Sequence, residues 1–352
     1  MTEANTFFAD LTRPGSEAQL KACGEYDLYQ KVLNMKKYKS LNLILCGPPG
    51  TGKTYSTRRI ACEICLGDAA KKSSYAADFE NLTASAEPLV EFVTFHPSYD
   101  YSDFIEGFKP NEVGNFVVTP GVLKRMARRA TQNPTKNYVL IIDEINRGNI
   151  SKIFGEAITL LEEDKRKGCK DGFPVTLRLP TSPKEVFILP ENLYVVGTMN
   201  TADRSIAMLD VALRRRFDFD EIMPNPALLK DAKPSSKDRS PLSQEKLLKN
   251  LNKWVSSQLL SRDHQIGHAW LDMSDEPTVD KVAERFVGKI VPLLLEWFYE
   301  PEQRDLLFKE LLKSKGMEKA LAAGAGQTKL MAAVIDCLYA IAEAKSEQAD
   351  AE

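Results

Sequence analysis

The chain has 352 residues, with 47 basic against 49 acidic side chains, a formal net charge of -2 and a hydrophobic share of 43%. That is enough for one large or two modest domains whose core needs no disulfide or metal staple. The charge balance excludes a chain-wide basic footprint of the nucleic-acid-binding kind, which leaves local runs such as Lys36-Lys37 and Arg214-Arg215-Arg216 to be judged singly. No stretch approaches the roughly 18–20 apolar residues of a membrane span, and residues 1–11 carry no signal-peptide core, so a cytoplasmic protein without a membrane partner is expected.

Residues 1–40 read as a helical lead-in, with Tyr26, Tyr29, Val32, Leu33 and Met35 on one face. Leu41–Cys46 reads as a buried strand, followed by a glycine-rich loop and a helix over 53–66. Residues 67–88 are polar and weakly periodic and predict a surface insertion. A second strand is expected over Glu91–Phe95, a short helix over 101–108, and a hairpin over 112–119 turning at Gly114-Asn115. A basic amphipathic helix follows over Gly121–Thr131. Tyr138–Ile142 is almost continuously apolar, as parallel strands buried on both faces are. A helix is expected over 150–163, a hairpin from Val175–Leu179 and Glu185–Leu189, a fourth strand over Leu193–Gly197, a helix over Ser205–Arg214 and a fifth strand over Phe217–Glu221.

After Pro224 and Pro226 the character changes. Residues 227–243 predict a linker, 244–345 a helical domain, and 346–352 a frayed tail. The α/β part then spans 41–226 and the smaller all-α part follows it. Of the six cysteines, Cys62 and Cys65 form a CxxC with no second pair at zinc spacing, and their place on the helix after the loop predicts core packing. The stripe Ile290, Leu293, Leu294, Leu295, Trp297 and Phe298 also reads as core.

Gly47-Pro48-Pro49-Gly50-Thr51-Gly52-Lys53-Thr54 matches G-x-x-x-x-G-K-[ST] in full, between a strand and a helix. Glycines there let backbone N–H groups turn toward phosphate oxygens, and the helix N-terminus adds positive potential. Lys53 is placed for the β- and γ-phosphates and Thr54 for Mg²⁺. Asp143 and Glu144 close the third strand at the edge where open α/β sheets bind ligands. The expected roles are Mg²⁺ binding for Asp143 and activation of the attacking water for Glu144. Asn200 ends the fourth strand and can bond the same water or the γ-phosphate. Arg214-Arg215-Arg216 stands at the end of the next helix and reads either as a solvated basic turn or, because an always-charged fork suits phosphate oxygens, as a contact to a γ-phosphate held by a neighbouring copy.

The runs Gly47–Thr54, Asp143–Asn149, Met199–Ser205 and Leu213–Phe217 together resemble the McrB family of AAA+ GTPases, the motor subunits of McrBC-type restriction systems. Phe95–Tyr101, Phe104–Gly107 and Ile266-Gly267-His268 resemble that family too, and the likeness covers roughly residues 40–300. It implies an AAA+ P-loop fold with a parallel five-stranded sheet flanked by helices, then a smaller all-α lid domain. It makes Asn200 the sensor that orients water, adds Asp203 to that region, and makes Arg147, Arg215 and Arg216 candidates for a contact with a neighbour's γ-phosphate. For Arg147 a structural ion pair within the ring stands as an equal alternative.

The resemblance further implies GTP as substrate, with ATP as the alternative, Mg²⁺, a homo-oligomeric ring of hexamer type, and an McrC-like nuclease or activator subunit. Only about 40 residues precede the first strand, so DNA is expected to be contacted through partners. A MoxR-like remodelling ATPase and a nucleotide-switched scaffold are the competing functions. His96 and His268 are expected at the surface or at helix caps.

Overall fold

The computed structural model describes residues 40–67, 75–177, 186–203, 211–234, 239–259, 261–311 and 327–344. The lead-in expected over 1–40 falls outside them apart from Ser40, as do the tail 346–352 and most of the helix expected over Ser205–Arg214. The chain divides into two compact units, one built on Asn42–Gly47 and Lys53–Ile222, the other on Met223 onward together with the loop residues Pro48–Gly52.

The first unit runs β1 (Asn42–Gly47), α1 (Lys53–Leu66), α2 (Tyr75–Ala84), β2 (Val90–Thr94), α3 (Tyr101–Phe104), β3 (Glu106–Pro110), β4 (Phe116–Pro120), α4 (Val122–Gln132), β5 (Tyr138–Asp143), α5 (Ile150–Phe154), β6 (Val175–Thr176), β7 (Val186–Phe187), β8 (Leu193–Asn200), α6 (Val211–Arg214) and β9 (Asp218–Glu221). Its five-stranded sheet has the order β2-β5-β8-β1-β9, and every neighbouring pair is parallel. Side chains alternate between two buried clusters. Ile44, Leu140, Ile142 and Val195 face one, while Leu43, Leu45, Val139, Ile141 and Val196 face the other. The two-residue period of a strand divides these apolar runs between helices on both faces.

Residues 67–88 are not only surface. Tyr75 and Leu82 of α2 are buried, and the Tyr75 hydroxyl donates to the Glu63 carboxylate on α1. Cys62 is buried in the same cluster, as its place on α1 predicts. The helix expected over 101–108 stops at Phe104, because Glu106–Pro110 pairs antiparallel with Phe116–Pro120 as a longer hairpin than the sequence suggests. The helix expected over 150–163 breaks at Gly155, whose φ of 50° is a left-handed exit that glycine alone takes at no steric cost. A 3₁₀ segment, Gly155–Leu161, continues from there.

At the root of the hairpin, Glu106 on β3 and Lys124 on α4 form an ion pair with side chains 0% and 2% exposed. Removing one partner strands the other charge in the core. Lys124→Met is therefore expected to cost about 3–5 kcal/mol of stability, read from denaturant midpoints, with most of it recovered in the Glu106→Leu/Lys124→Met double variant.

In the second unit, Ala232 and Leu242 bridge across the stretch expected as a linker, and both are buried. The helices α7 (Gln244–Leu259), α8 (Val279–Arg285), α9 (Val291–Trp297), α10 (Pro301–Leu306) and α11 (Gln327–Glu343) follow. Ile290, Leu294, Trp297 and Phe298 are core residues of this unit, as their spacing predicts. Between α7 and α8 the described residues form loop and bends, with a 3₁₀ turn at His268–Trp270. Among the described residues no helix is long and apolar enough to cross a membrane.

Candidate functional site

Because the strands are parallel, their carboxyl ends share one edge, and Gly47 of β1 lies in register with Asn200 of β8. The sequence places its loop, acidic pair and sensor at that edge. The loop leaves β1 at Gly47 and enters α1 at Lys53. Gly50 and Gly52 take φ values of 75° and 87°, left-handed turns that let successive N–H groups face one way. The Thr51 hydroxyl donates to the Pro48 carbonyl at 3.0 Å.

Lys53 is buried, with Nζ donating to the Gly47 carbonyl at 2.9 Å. Burial pulls its ammonium down to about 8, against the opposing pull of Glu144, Cys46, Asp143 and Asp203. Beside it, Asp143 Oδ1 accepts from the Thr54 hydroxyl at 2.8 Å and from the Thr198 hydroxyl at 2.6 Å. The Glu144 N–H donates to Thr198 Oγ1 at 3.0 Å. Thr198 thus ties both acids to β8. It was not singled out in the sequence, although it stands two residues before Asn200 and so on the same face of the strand.

Glu144 has φ 53° and is the only non-glycine residue with positive φ among those described. A left-handed Glu departs from the favoured regions, and its neighbours hold it there. Asn200 Nδ2 donates to Glu144 Oε1 at 2.5 Å, and Arg147 Nε donates to Oε2 at 3.1 Å. Arg147 also reaches Asp203 Oδ2 at 2.9 Å. Glu144, Arg147, Asn200 and Asp203 therefore form one network within a single chain. Asn146, a second residue not singled out, donates to the Asn200 carbonyl at 3.3 Å.

Arg215 and Arg216 lie elsewhere. Asn42, at the start of β1, donates to the Arg216 carbonyl at 2.9 Å. The loop follows the other end of β1, roughly 15–20 Å along a strand of this length. Both guanidiniums donate to Glu162 Oε1, at 2.9 and 2.7 Å, with Arg215 66% exposed and Arg216 only 8%. Neither can reach the loop of its own chain.

The donor set fits Mg²⁺, a hard ion that takes oxygen ligands and keeps several waters. It offers hydroxyl oxygens and a carboxylate whose Oδ2, among the described residues, accepts no hydrogen bond. The histidines divide. His96 is exposed, as expected, but His268 is buried. Its Nδ1 accepts from the Asn225 N–H at 3.2 Å, and burial pulls its ring down to about 4.

Comparison with known proteins agrees with this geometry. Residues 42–217 match the AAA domain of the dynein-related subfamily, and residues 243–305 match the McrB α-helical lid domain. The chain is 38% identical over 284 residues to the Type IV methyl-directed restriction enzyme EcoKMcrB subunit of Escherichia coli (strain K12), covering 77% of this chain and 56% of that protein. It is 30% identical over 213 residues to the Type II restriction enzyme BsuMI component YdiS of Bacillus subtilis (strain 168), covering 51% of this chain and 56% of that one. The chain spans little more than half the length of these curated relatives. With its five-stranded parallel sheet and its loop between β1 and α1, the chain belongs to the AAA family of P-loop nucleoside-triphosphatases and carries an McrB-like helical lid.

Proposed function

We propose that the chain is a ring-forming nucleoside-triphosphatase, GTP favoured over ATP, that works in the cytoplasm as the motor of a restriction-type system. The observation that carries this is the hydrogen-bonded set Thr54, Asp143, Glu144, Thr198 and Asn200 at one sheet edge, beside Lys53. In this reading the loop N–H groups and Lys53 hold the β- and γ-phosphates. Thr54 and Asp143 hold Mg²⁺, which when bound neutralises phosphate charge. Glu144 accepts the proton of the attacking water, and Asn200 orients that water. Arg147 and Asp203 keep Glu144 aimed through their shared network.

Arg215 supports the ring. It is highly exposed and too far from its own loop to serve it, so it serves a neighbouring copy, with Arg216 and Glu162 bracing it. The relatives are named as a subunit and a component of restriction enzymes. This, with the McrB resemblance, supports an McrC-like nuclease or activator as partner and contact with DNA through that partner. The test is hydrolysis of GTP and ATP by the purified chain, alone and with the product of the neighbouring gene. GTP-selective turnover stimulated by a nuclease-bearing neighbour is expected. ATP selectivity with no such neighbour would instead support a remodelling ATPase.

Lys53 gives this site a pH signature. With its ammonium near 8, the free chain loses the charge that binds phosphate as pH rises through that value. Triphosphate binding above it must take up a proton. The association constant is therefore expected to be flat from pH 6.5 to 7.5 and then to fall, approaching about tenfold per pH unit above 8. Calorimetric titration across pH 6.5–9.5 checks this, and an affinity that stays level to pH 9.5 contradicts the lowered ammonium of Lys53.

A further inference from the structure

Within the second unit, three segments meet around Asp272. Ala232 and Leu242 exchange both backbone hydrogen bonds, at 2.8 and 2.9 Å, and Lys233 bonds in the same way to Pro277 and Val279, at 2.8 and 3.0 Å. Gln244, the first residue of α7, is fully buried. Its Nε2 donates to the Lys230 carbonyl at 2.7 Å and to the Asp272 carbonyl at 3.1 Å. Asp272 is 2% exposed, and its Oδ1 accepts from the Ser274 N–H at 3.0 Å. Gln244 and Ser274 are thus each bonded directly to Asp272.

These bonds leave the other polar atoms of the cluster unused. Asp272 Oδ2, Gln244 Oε1 and Ser274 Oγ are all buried, and none has a hydrogen-bond partner among the described residues. No described Lys, Arg or His pairs with Asp272 either. Two cations of the neighbouring segments make their bonds elsewhere. Arg285 Nη1 donates to the Leu271 carbonyl at 3.0 Å, and Lys230 Nζ meets Asp275 Oδ1 at 2.6 Å. A buried carboxylate needs a counter-charge, and a buried amide or hydroxyl oxygen needs a donor or a metal. Here three such oxygens, with one negative charge among them, belong to residues that are hydrogen-bonded to one another.

We propose that Asp272 Oδ2, Gln244 Oε1 and Ser274 Oγ bind an alkali cation, Na⁺ or K⁺, that ties the start of α7 to the segments at Lys230 and Asp272. Hard cations take oxygen ligands of these kinds. Charge selects the alkali ions among them. One carboxylate neutralises one positive charge, whereas a divalent ion would leave a second charge uncompensated in the interior, where it is costly. Softer metals prefer thiolate or imidazole, and no group of three His, Cys, Asp or Glu gathers for one among the described residues. The site uses no residue of the phosphate loop, so it fills without nucleotide.

The test uses the full chain without nucleotide. Its thermal midpoint is compared in sodium, potassium and N-methylglucamine chloride at one ionic strength, and in the organic salt with Mg²⁺ or Ca²⁺ added. Bound Na⁺ is followed by ²³Na relaxation. The expected result is a midpoint about 2–4 °C higher in the alkali salts than in the organic one, with a ²³Na broadening that K⁺ displaces. Both effects disappear in Asp272→Asn. Its amide can donate to one of the other two oxygens, so in the organic salt this variant melts no lower than the wild type.

A midpoint equal in the three salts, with no broadening that K⁺ displaces, overturns the proposal and leaves the three oxygens to a buried water or a shared proton. Broadening kept in full by Asp272→Asn places the ion elsewhere and overturns it as well. A midpoint raised by Mg²⁺ or Ca²⁺ but not by the alkali ions contradicts the charge argument. Should Asp272→Asn unfold, Ser274→Ala decides, because it removes one ligand oxygen from a half-buried residue. A several-fold loss of Na⁺ affinity with an unchanged midpoint in the organic salt supports the site, and an unchanged affinity refutes it.

Discussion

Glu144→Gln should lower turnover about 10²–10⁴-fold, the usual worth of a positioned general base, while triphosphate binding stays within a factor of a few. The split follows from the geometry. Lys53 donates to the Gly47 carbonyl and Thr54 to Asp143, while the Glu144 side chain accepts from Asn200 and Arg147. Gln keeps one amide oxygen, which can accept from Arg147 or from Asn200 but not from both, so the substitution retains the shape of the side chain and one of its two hydrogen bonds. What it lacks is the capacity to accept the proton from water. Single-turnover hydrolysis, with binding followed in parallel, separates the two effects. If Glu144→Gln turned over at the wild-type rate, Glu144 would be excluded as the base. If it lost binding and turnover together, its role would be to hold the site rather than to activate water.

A second large effect is expected far from that residue. Arg215→Ala/Arg216→Ala should lower turnover on the order of 10³-fold or more, the range seen when an arginine supplied to a γ-phosphate is removed. Such a loss has no explanation within one chain, because both arginines lie at the start of β1 and the loop at its end. It should appear as a fall in turnover with nucleotide affinity largely kept, and it should not depend on protein concentration once rings are formed. Arg215→Ala alone should carry most of it, since Arg216 is nearly buried against Glu162. A double variant with full turnover would leave these arginines as a structural brace around Glu162.

The parts of the site that the sequence showed are those that strand physics imposes on it. A central parallel strand must be apolar on both faces, so Tyr138–Ile142 and Leu193–Val196 stand out as apolar runs. The polar residues that end these strands, Asp143-Glu144 and Asn200, fall at the sheet edge where ligands bind. The loop was legible because phosphate binding demands its glycines and Lys53 in one order. The residues that escaped notice depend on contacts between distant segments. Thr198 looks like one polar residue inside a strand until Asp143 and Glu144 are seen to share its hydroxyl. Glu162 carries no local mark, and its partners Arg215 and Arg216 come from far along the chain. The burial of His268 depends on Asn225 and on the loop contacts of its neighbours Gly267, Ala269 and Trp270.

The same contrast governs the fold. α2 has weak periodicity because it buries only Tyr75 and Leu82, too few to mark a helix in a polar, alanine-rich stretch. The helix expected over 150–163 was read from apolar spacing that the 3₁₀ segment also satisfies. The feature that breaks it is a single glycine with positive φ. The short helix expected over 101–108 gave way to a strand because β4 is there to pair with it, and pairing outweighs local propensity in a hairpin.

The most direct test of a hydrolytic site completed by a neighbouring copy is to mix two inactive variants. Glu144→Gln supplies intact arginines, and Arg215→Ala/Arg216→Ala supplies an intact Glu144. Mixed in equal amounts before nucleotide is added, they should regain about a quarter of wild-type turnover, because a quarter of the interfaces in a randomly assembled ring pair a sound Glu144 with a sound Arg215. A mixture no more active than the mean of its two components would contradict a shared site and place the whole catalytic set within one chain.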